Sequence, residues 1–534
     1  MTELQYYLRE DVYFEPLFNQ WYAWPYLIPP VTAARHMVKT HRRIMKSFLN
    51  NAELHVLASQ DKSLAGGDYL NCPVEQLPAI EKLVNDIDLK CGDLVALSSA
   101  IEELDALIRA HTSGESITPL YDQLPEMLKG YVELFFDMEH NPSYRFIEPL
   151  LYRSSYYKQS LQSISLGMLS RVDARPFVFS TPRLVDEDHL QAHVDFNHPL
   201  IDRLFSSRCQ PLSQMEIDSL FDGVELSGGL KPEELFTTTR PQSTLDALTD
   251  GVRLTYTGHA GFMLQTPNVT IMVDPVLSSR EFGSSDGMVS FPDLPEKIDY
   301  VCLTHNHQDH VNLETLLQLR YKTEHILVPK NNGGSLADPS IRLLLQQLGF
   351  KVSEVEDLDV IGVADGKIVS VPFLGEHGDL NIRSKTAWYV ELCGRKFFFG
   401  ADSSNPDRAL YEHLGEIFRP LDVLAIGMEC VGAPYTWLYG ALHTKPVSKS
   451  IKNSRRLNGS DCEQALPMVS AFAADRVCIY ALGLEPCYKY FMGLEYDDDS
   501  KQIEESKKMI QACNAINVPA EALNGRKVLC FESR

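Results

Sequence analysis

Apolar residues return every three or four positions through QLPAIEKLVNDIDL, where Leu77, Ile80, Leu83 and Ile87 share one side. SAIEELDALIRAH repeats that spacing, and both stretches predict amphipathic helices. Such segments dominate the first 245 residues, interrupted by extended pieces such as RPFVFSTPRLV, Arg175 to Val185, and by aromatics in WYAWPYLIPP and LLYRSSYY. No chemistry-bearing motif stands out there. A stretch rich in Thr, Pro and Ser, FTTTRPQSTLDALTDG, predicts a crossing between domains. From Val252 the spacing shortens. RLTYT, GFMLQT and VTIMVD follow as short strands, and ILVPK, KIVSVPFLG, the hairpin AWYVELCGRKFFFG, VLAIGM, VCIYALG and KVLCF come later. Helical stretches such as SIRLLLQQLGF and SKKMIQACNAI lie between them. Two domains are expected: a mixed, mainly helical one over 1–245 and an α/β layered one over 246–534.

Charge and composition narrow the class. Lys and Arg number 49 against 72 Asp and Glu, a formal charge of -23, so the mean field repels phosphate and disfavours general binding to nucleic acid or anionic membranes. No apolar run is long enough to cross a bilayer, and MTELQYYLREDVYFEP lacks the apolar core of a secretory signal. A cytoplasmic protein is expected. The 11 cysteines are scattered singly, without CxxC pairs, which suits reduced thiols better than a disulfide framework.

The densest chemistry lies in LTHNHQDHVN, Leu303 to Asn312. An apolar strand, Tyr300 to Thr304, leads into a polar turn and then a helix with Leu313, Leu316 and Leu317 on one side, its first turn capped by Asn312. His305 and His307, two apart on extended chain, can point the same way; Asp309 and His310 fall on the turn, within reach of a second metal. The residues His305, His307, Asp309 and His310 match the HxHxDH signature and resemble the metallo-β-lactamase superfamily, whose fold is an αββα sandwich. That signature is specific for fold and poor for reaction. Later strand ends supply what the superfamily requires: Asp402 in GADSS as the carboxylate bridging two metals, and His443 in ALHTKP as the closing ligand of the second. Asp274 in MVDPVLSS and His259 in TGHAGF match superfamily positions that orient ligands or the turn.

Metal 1 needs one more ligand, and the neighbours Glu376 and His377 in LGEHGD both stand at the right place. With His377 the site has three imidazoles and reads as a zinc hydrolase, whose bound water ionises near pH 7 and attacks a phosphodiester, lactone or thioester. With Glu376 it has two imidazoles and a carboxylate beside the bridge, a set that suits iron and O2 because anionic oxygen ligands stabilise higher oxidation states. The residue types alone leave both open.

The chain as a whole, including REDVYFEPLFNQWYAWPYLIPP near its start, resembles the diiron β-hydroxylases of nonribosomal peptide biosynthesis, the family of the chloramphenicol-pathway hydroxylase. The resemblance implies that Glu376 replaces a usual histidine as a ligand, with His377 a supporting or pocket group. It implies two iron ions, O2 as co-substrate, an external electron donor, and an amino acid held as a thioester on a synthetase carrier domain. His305, His307 and Glu376 would hold one iron, Asp309, His310 and His443 the other, with Asp402 between them. It also favours self-association through the N-terminal domain, hence a homodimer. Two basic stretches offer docking surfaces for an acidic carrier: HTKPVSKSIKNSRR, with Lys445, Lys449, Lys452, Arg455 and Arg456, and RHMVKTHRRIMK. Glu429 in GMEC ends another strand where it can adjust the metal site, and Trp437 and Tyr439 precede His443 as candidate pocket walls.

Overall fold

The computed structural model describes residues 4–64, 66–169, 175–280, 288–485, 488–493 and 496–534. Two seven-stranded sheets form the second half of the chain. In the first, the order is Val352–Val355, Thr323–Pro329, Ile298–Cys302, Thr270–Val273, Gly261–Gln265, Val252–Gly258 and, closing the edge from the far end of the sequence, Lys527–Phe531. The second runs Val360–Val363, Gly366–Val371, Ala387–Leu392, Arg395–Phe399, Val423–Gly427, Val477–Tyr480 and Ala520–Ala522. Both mix antiparallel hairpins with parallel strands reached through helices. Phe262, Val273, Ile368, Trp388 and Phe399 fill the space between the sheets. Helices Arg408–Phe418, Cys462–Phe472 and Lys501–Ala515 cover the outer face of the second sheet. The result is the α/β layering that the strand pattern predicts, in the αββα form that the resemblance implies.

Helix Leu313–Leu319 lies on the outer side of the first sheet, beside the N-terminal region. There the helices expected from the periodicity form, Leu77–Lys90 and Gly92–Ala110, with Ile80, Leu83, Ile87, Leu97, Ile101 and Leu104 buried. The sequence reading underweights the strands: this region also holds a five-stranded sheet in the order Trp21–Tyr22, Val12–Phe18, Gln162–Met168, Leu190–His193, Glu225–Ser227. Val12–Phe18 and Gln162–Met168 are buried along their whole length, so neither shows the alternation that marks a half-exposed strand. RPFVFSTPRLV joins no sheet, since Pro176 and Pro182 have no N–H to give. It braces other segments instead, Val178 N–H donating to the Tyr490 carbonyl at 3.0 Å and Arg183 N–H to that of Gln20 at 2.7 Å.

Residues 238–251 contain no helix or strand, as the Thr- and Pro-rich composition predicts. Packing nevertheless ignores this crossing. One apolar cluster runs from Phe14, Ile44 and Leu94 through Leu303, Leu317 and Tyr439, so the N-terminal region covers an outer face of the sandwich. The described cysteines are all free thiols. Among the described residues no helix is long and apolar enough to cross a membrane.

Candidate metal centre

Strand Ile298–Cys302 ends where the chain turns to expose its imidazoles. The turn is held from both sides: Trp388 Nε1 donates to the Leu303 carbonyl at 3.1 Å, and Asn312 accepts from Thr315 N–H at 2.7 Å as it caps helix Leu313–Leu319. His305 therefore packs against both His307 and His310, with ring centroids 4.5 and 4.0 Å away.

Three groups of ligand atoms, each within 4.8 Å of one another, form a continuous chain: His305 with His307 and Glu376; His305 with His310 and Asp402; His259 with Asp309 and His310. Glu376 Oε1 lies 3.0 Å from His307 Nδ1. Asp402 Oδ2 stands 3.0 Å from His310 Nε2 and 3.8 Å from His305 Nε2, between the two halves of the cluster, as a bridging carboxylate must. His259 Nε2 is 3.1 Å from Asp309 Oδ2.

Supporting contacts fix the ring orientations. Thr304 Oγ1 is 3.0 Å from His305 Nδ1, and Asp274 Oδ2 is 2.8 Å from His310 Nδ1, leaving the Nε2 atoms facing inward. Tyr439 OH lies 2.9 Å from His307 Nε2, the nitrogen turned away from Glu376. Asp274 is the orienting group that sequence suggests. Asp274→Ala is expected to weaken metal binding about 10–100-fold, the usual effect of losing such a partner, measured by competition with a chelator; unchanged affinity would show that Thr304 alone orients His310.

The neighbours Glu376 and His377 separate cleanly. Glu376 borders the cavity, whereas His377 sits behind His307, its Nδ1 3.1 Å from His307 Nε2 and 3.0 Å from Tyr439 OH. A left-handed backbone at Glu376, φ 70, turns the carboxylate inward. It follows Gly375, φ 87, where a Cβ would meet Ser404 Oγ at 1.9 Å. His259 (φ 45), Asp274 (φ 39) and Ala401 (φ 48), next to Asp402, share this uncommon conformation. Strained positions collected at one site are a mark of function rather than of packing.

His443 joins none of the three groups. Buried Arg35 holds its segment toward the N-terminal region, donating to the carbonyls of Ala441 at 3.1 Å and His443 at 2.9 Å, and the ring lies beside Tyr435 with centroids 5.5 Å apart. His259, expected to orient, stands with Asp309 and His310, its Nε2 next to Asp309 Oδ2. The signal for it was the turn GHAG after a strand, but the side-chain direction depends on the bulge between Tyr256 and Gly258 and on Glu485, which accepts from Tyr256 OH and from His259 N–H. In the basic stretch RHMVKTHRRIMK, Arg35 and Lys39 pair with Glu102, Arg42 with Asp88 and Arg43 with Asp68.

The electrostatics ask for a cation. Burial, then the neighbouring carboxylates Asp402, Glu429 and Asp309, push Glu376 well above the usual carboxylate range. Burial lowers His305, His307 and His377. Burial also opposes a charged His310, yet Asp402, Asp309 and Asp274 hold it well above an ordinary histidine. His305 Nε2 and Asp402 Oδ1 are buried without a hydrogen-bond partner. Crowded carboxylates, depressed imidazoles and unpartnered inward atoms fit a pair of divalent metal ions, which would neutralise the acids and take the neutral histidine nitrogens.

Glu429 is also buried, and its Oε1 accepts from Tyr496 OH at 2.6 Å. Burial chiefly, then Asp402 and Asp309, raises it to about 7. In metal-stripped protein the folded chain thus keeps a proton that the unfolded chain releases near its ordinary value of 4.5. That contribution is intact below pH 4.5 and disappears as pH rises through about 7. The Tm advantage of metal-free wild type over Glu429→Gln is expected to shrink across this window, and a constant difference would refute the assignment.

A cavity of about 300 Å3 opens over His307, Asp309, Glu376 and Asp402. Trp437, Leu438, Leu457 and Phe491 give it apolar walls, and Glu429 and Tyr496 also line it.

Fold and cluster together define a metallo-β-lactamase-type sandwich carrying a mixed carboxylate and imidazole metal centre beneath an N-terminal cover. Residues 7–241 match the diiron non-heme β-hydroxylase N-terminal domain, and residues 269–468 the β-lactamase superfamily domain. The chain is 36% identical over 535 residues, 98% of its length and 100% of the relative's, to the 4-amino-L-phenylalanyl-[CmlP-peptidyl-carrier-protein] 3-hydroxylase of Streptomyces venezuelae. It is similar to the crystal structure of CmlA, a diiron β-hydroxylase from Streptomyces venezuelae, with TM-score 0.91 and 36% identity over 99% of this chain and 100% of that one. A Glu-to-Asp mutant of the CmlA β-hydroxylase matches with TM-score 0.88 and 36% identity over 98% of this chain and 100% of that one. The chain belongs to the diiron non-heme β-hydroxylase family. It is a non-heme diiron monooxygenase rather than a zinc hydrolase, with two irons as its cofactor and O2 as co-substrate.

Proposed function

We propose that this hydroxylase inserts oxygen at the β-carbon of an amino acid tethered as a thioester to a peptidyl carrier domain of a nonribosomal peptide synthetase. His305, His307 and Glu376 would hold one iron and Asp309, His310 and His259 the other, with Asp402 placed between the two groups. The observation that carries this reading is the carboxylate of Glu376 facing the cavity while His377 is held behind His307. Bound at these residues, the iron pair supplies the reduction and activation of O2. One oxygen atom enters the C–H bond and the other leaves as water, with two electrons from an external donor and two protons.

The protein's own part is placement and exclusion. Trp437, Leu438 and Phe491 offer an apolar wall against which the amino acid side chain rests. That wall keeps water from the reacting carbon. Tyr439 and Asp274 hold His307 and His310 in register, and Thr304 does so for His305. Glu429, hydrogen-bonded to Tyr496, stands at the cavity edge where it can hold or pass a proton.

The test is intact mass of a panel of aminoacyl carrier domains, aromatic and aliphatic, after incubation with the reduced diiron protein and air. A gain of one oxygen atom on one of them, absent without O2, is expected; hydrolysis of the thioester without reductant would reject the reading. We further propose a homodimer. Since the N-terminal region shares its core with the sandwich, its role in self-association is read on the full chain: Leu54→Glu with Leu57→Glu, at exposed apolar positions, is expected to yield monomers by light scattering.

A further inference from the structure

Gln308 occupies the position that the HxHxDH pattern leaves open between His307 and Asp309, so nothing in the metal chemistry requires a carboxamide there. It is nonetheless only 8% exposed and lines the cavity over the metal residues, and its Oε1 is buried without a hydrogen-bond partner among the described residues. A buried amide oxygen without a donor costs free energy, which a ligand N–H recovers on binding. The pattern's other open position, Asn306, is used differently. Its Oδ1 also lacks a partner, but its Nδ2 donates to the Pro339 carbonyl at 3.3 Å, and the cavity lining does not include it. Asn306 thus braces the turn from outside the cavity. The turn is closed by its own backbone, His310 N–H and Val311 N–H donating to the His307 carbonyl at 3.2 and 2.8 Å, which fixes where Gln308 leaves the chain.

We propose that the Gln308 carboxamide holds the aminoacyl end of the substrate, its oxygen accepting from the α-ammonium and its NH2 donating to the thioester carbonyl. The inference rests on the carrier-bound reading above. A carboxamide presents an acceptor and two donor hydrogens side by side. An α-aminoacyl thioester presents the complementary pair, N–H donors on the α-nitrogen and an acceptor on the neighbouring carbonyl, so one side chain meets both. The location suits the reaction. Along the chain Gln308 is flanked by His307, which groups with His305 and Glu376, and by Asp309, which groups with His259 and His310. An anchor between the two groups keeps the β-carbon over the pair rather than over either half. Trp437, Leu438 and Phe491 then receive the amino acid's side chain, and the two attachments together select one of the two β-hydrogens.

The same contact reads the state of the α-nitrogen. A free ammonium gives a charge-assisted bond, roughly twice as strong as a neutral one, and an acylated nitrogen does not. Hydroxylation therefore precedes the condensation that joins this nitrogen into a peptide.

The test compares two carrier-bound ligands: the amino acid that wild type hydroxylates, and the acyl group of the same skeleton without its α-amine. With iron bound and O2 excluded, wild type is expected to bind the aminoacyl carrier about 10–100-fold more tightly by calorimetry, the effect of a hydrogen bond to a charged group. Gln308→Leu is expected to bring that ratio below about threefold while Kd for the desamino carrier holds, a coupling that a purely structural role would not produce. Gln308→Met, which keeps the side chain's length, replaces it if the shorter variant loses iron. Equal Kd values for the two carriers in wild type, a ratio that survives in the variant, or hydroxylation of the N-acetylated aminoacyl carrier as fast as the free amine each overturns the proposal. Failure of wild type to oxygenate any carrier-bound amino acid overturns the underlying reading instead.

Discussion

Glu376→Ala is expected to lose hydroxylation by more than about 10^3-fold and to bind fewer than two irons per chain. The reason is positional. Glu376 Oε1 sits 3.0 Å from His307 Nδ1 on the cavity side, and no other described carboxylate joins the His305–His307 group. Loss of a ligand exceeds the roughly 10–100-fold loss typical of an outer hydrogen-bonding partner. His377→Ala supplies the contrast. Its ring touches His307 and Tyr439, so that variant belongs in the 10–100-fold class and keeps both irons. Iron quantified per chain, with turnover by mass, separates the two. Metal lost from His377→Ala and retained by Glu376→Ala would restore the three-imidazole alternative.

Arg183→Ala is expected to destabilise the protein by about 3–5 kcal/mol, the usual consequence of stripping one partner from a buried ion pair. The Arg183 guanidinium grips Glu15 with two hydrogen bonds, at 2.7 and 3.0 Å, where the carboxylate is 1% exposed. Burial alone would raise Glu15, but Arg183 and Arg175 hold its carboxyl below the usual range, so removing Arg183 leaves a buried acid with half its compensation. Arg183→Lys is expected to recover only part, since an ammonium cannot make the paired contact. The damage also reaches the metal. Arg175 links Glu15, at 3.3 Å, to Glu314, at 3.2 Å, in the first turn of the helix that Asn312 caps directly after the metal residues. Chemical denaturation followed by fluorescence reads the first effect and chelator competition the second. A shift under about 1 kcal/mol would mean that Arg175 alone satisfies Glu15.

The long-range consequence explains the N-terminal cover. A sandwich with this cluster could bind metal without it, yet the apolar side of helix Leu313–Leu319 and the segment holding Tyr439 are buried against N-terminal residues. Tyr26 packs edge-on to Tyr439 at 5.8 Å, and Tyr439 in turn meets His307 and His377. Tyr26 thus reaches the His307 ring through one tyrosine. Trp437, tied to Gly66, does the equivalent for the substrate wall.

What the sequence by itself determined is the local part. HxHxDH places His305, His307, Asp309 and His310 at a strand end because spacing on an extended chain fixes which side chains share a face. The short runs from Val252 onward foretold the strands, and Asn312 its own cap. Asp402 came from the resemblance to the superfamily, which expects a carboxylate after the strand Arg395–Phe399. The tertiary structure decided everything that depends on approach between distant segments. It turned Glu376 toward the cavity and set His377 behind His307 through a left-handed turn that residue type does not announce. It set His259 beside Asp309 and drew His443 away through Arg35, more than 400 positions earlier in the chain. It also buried the N-terminal strands on both faces, erasing the alternation by which strands are read. Periodicity carries which face a side chain takes; only packing sets how far one face stands from another.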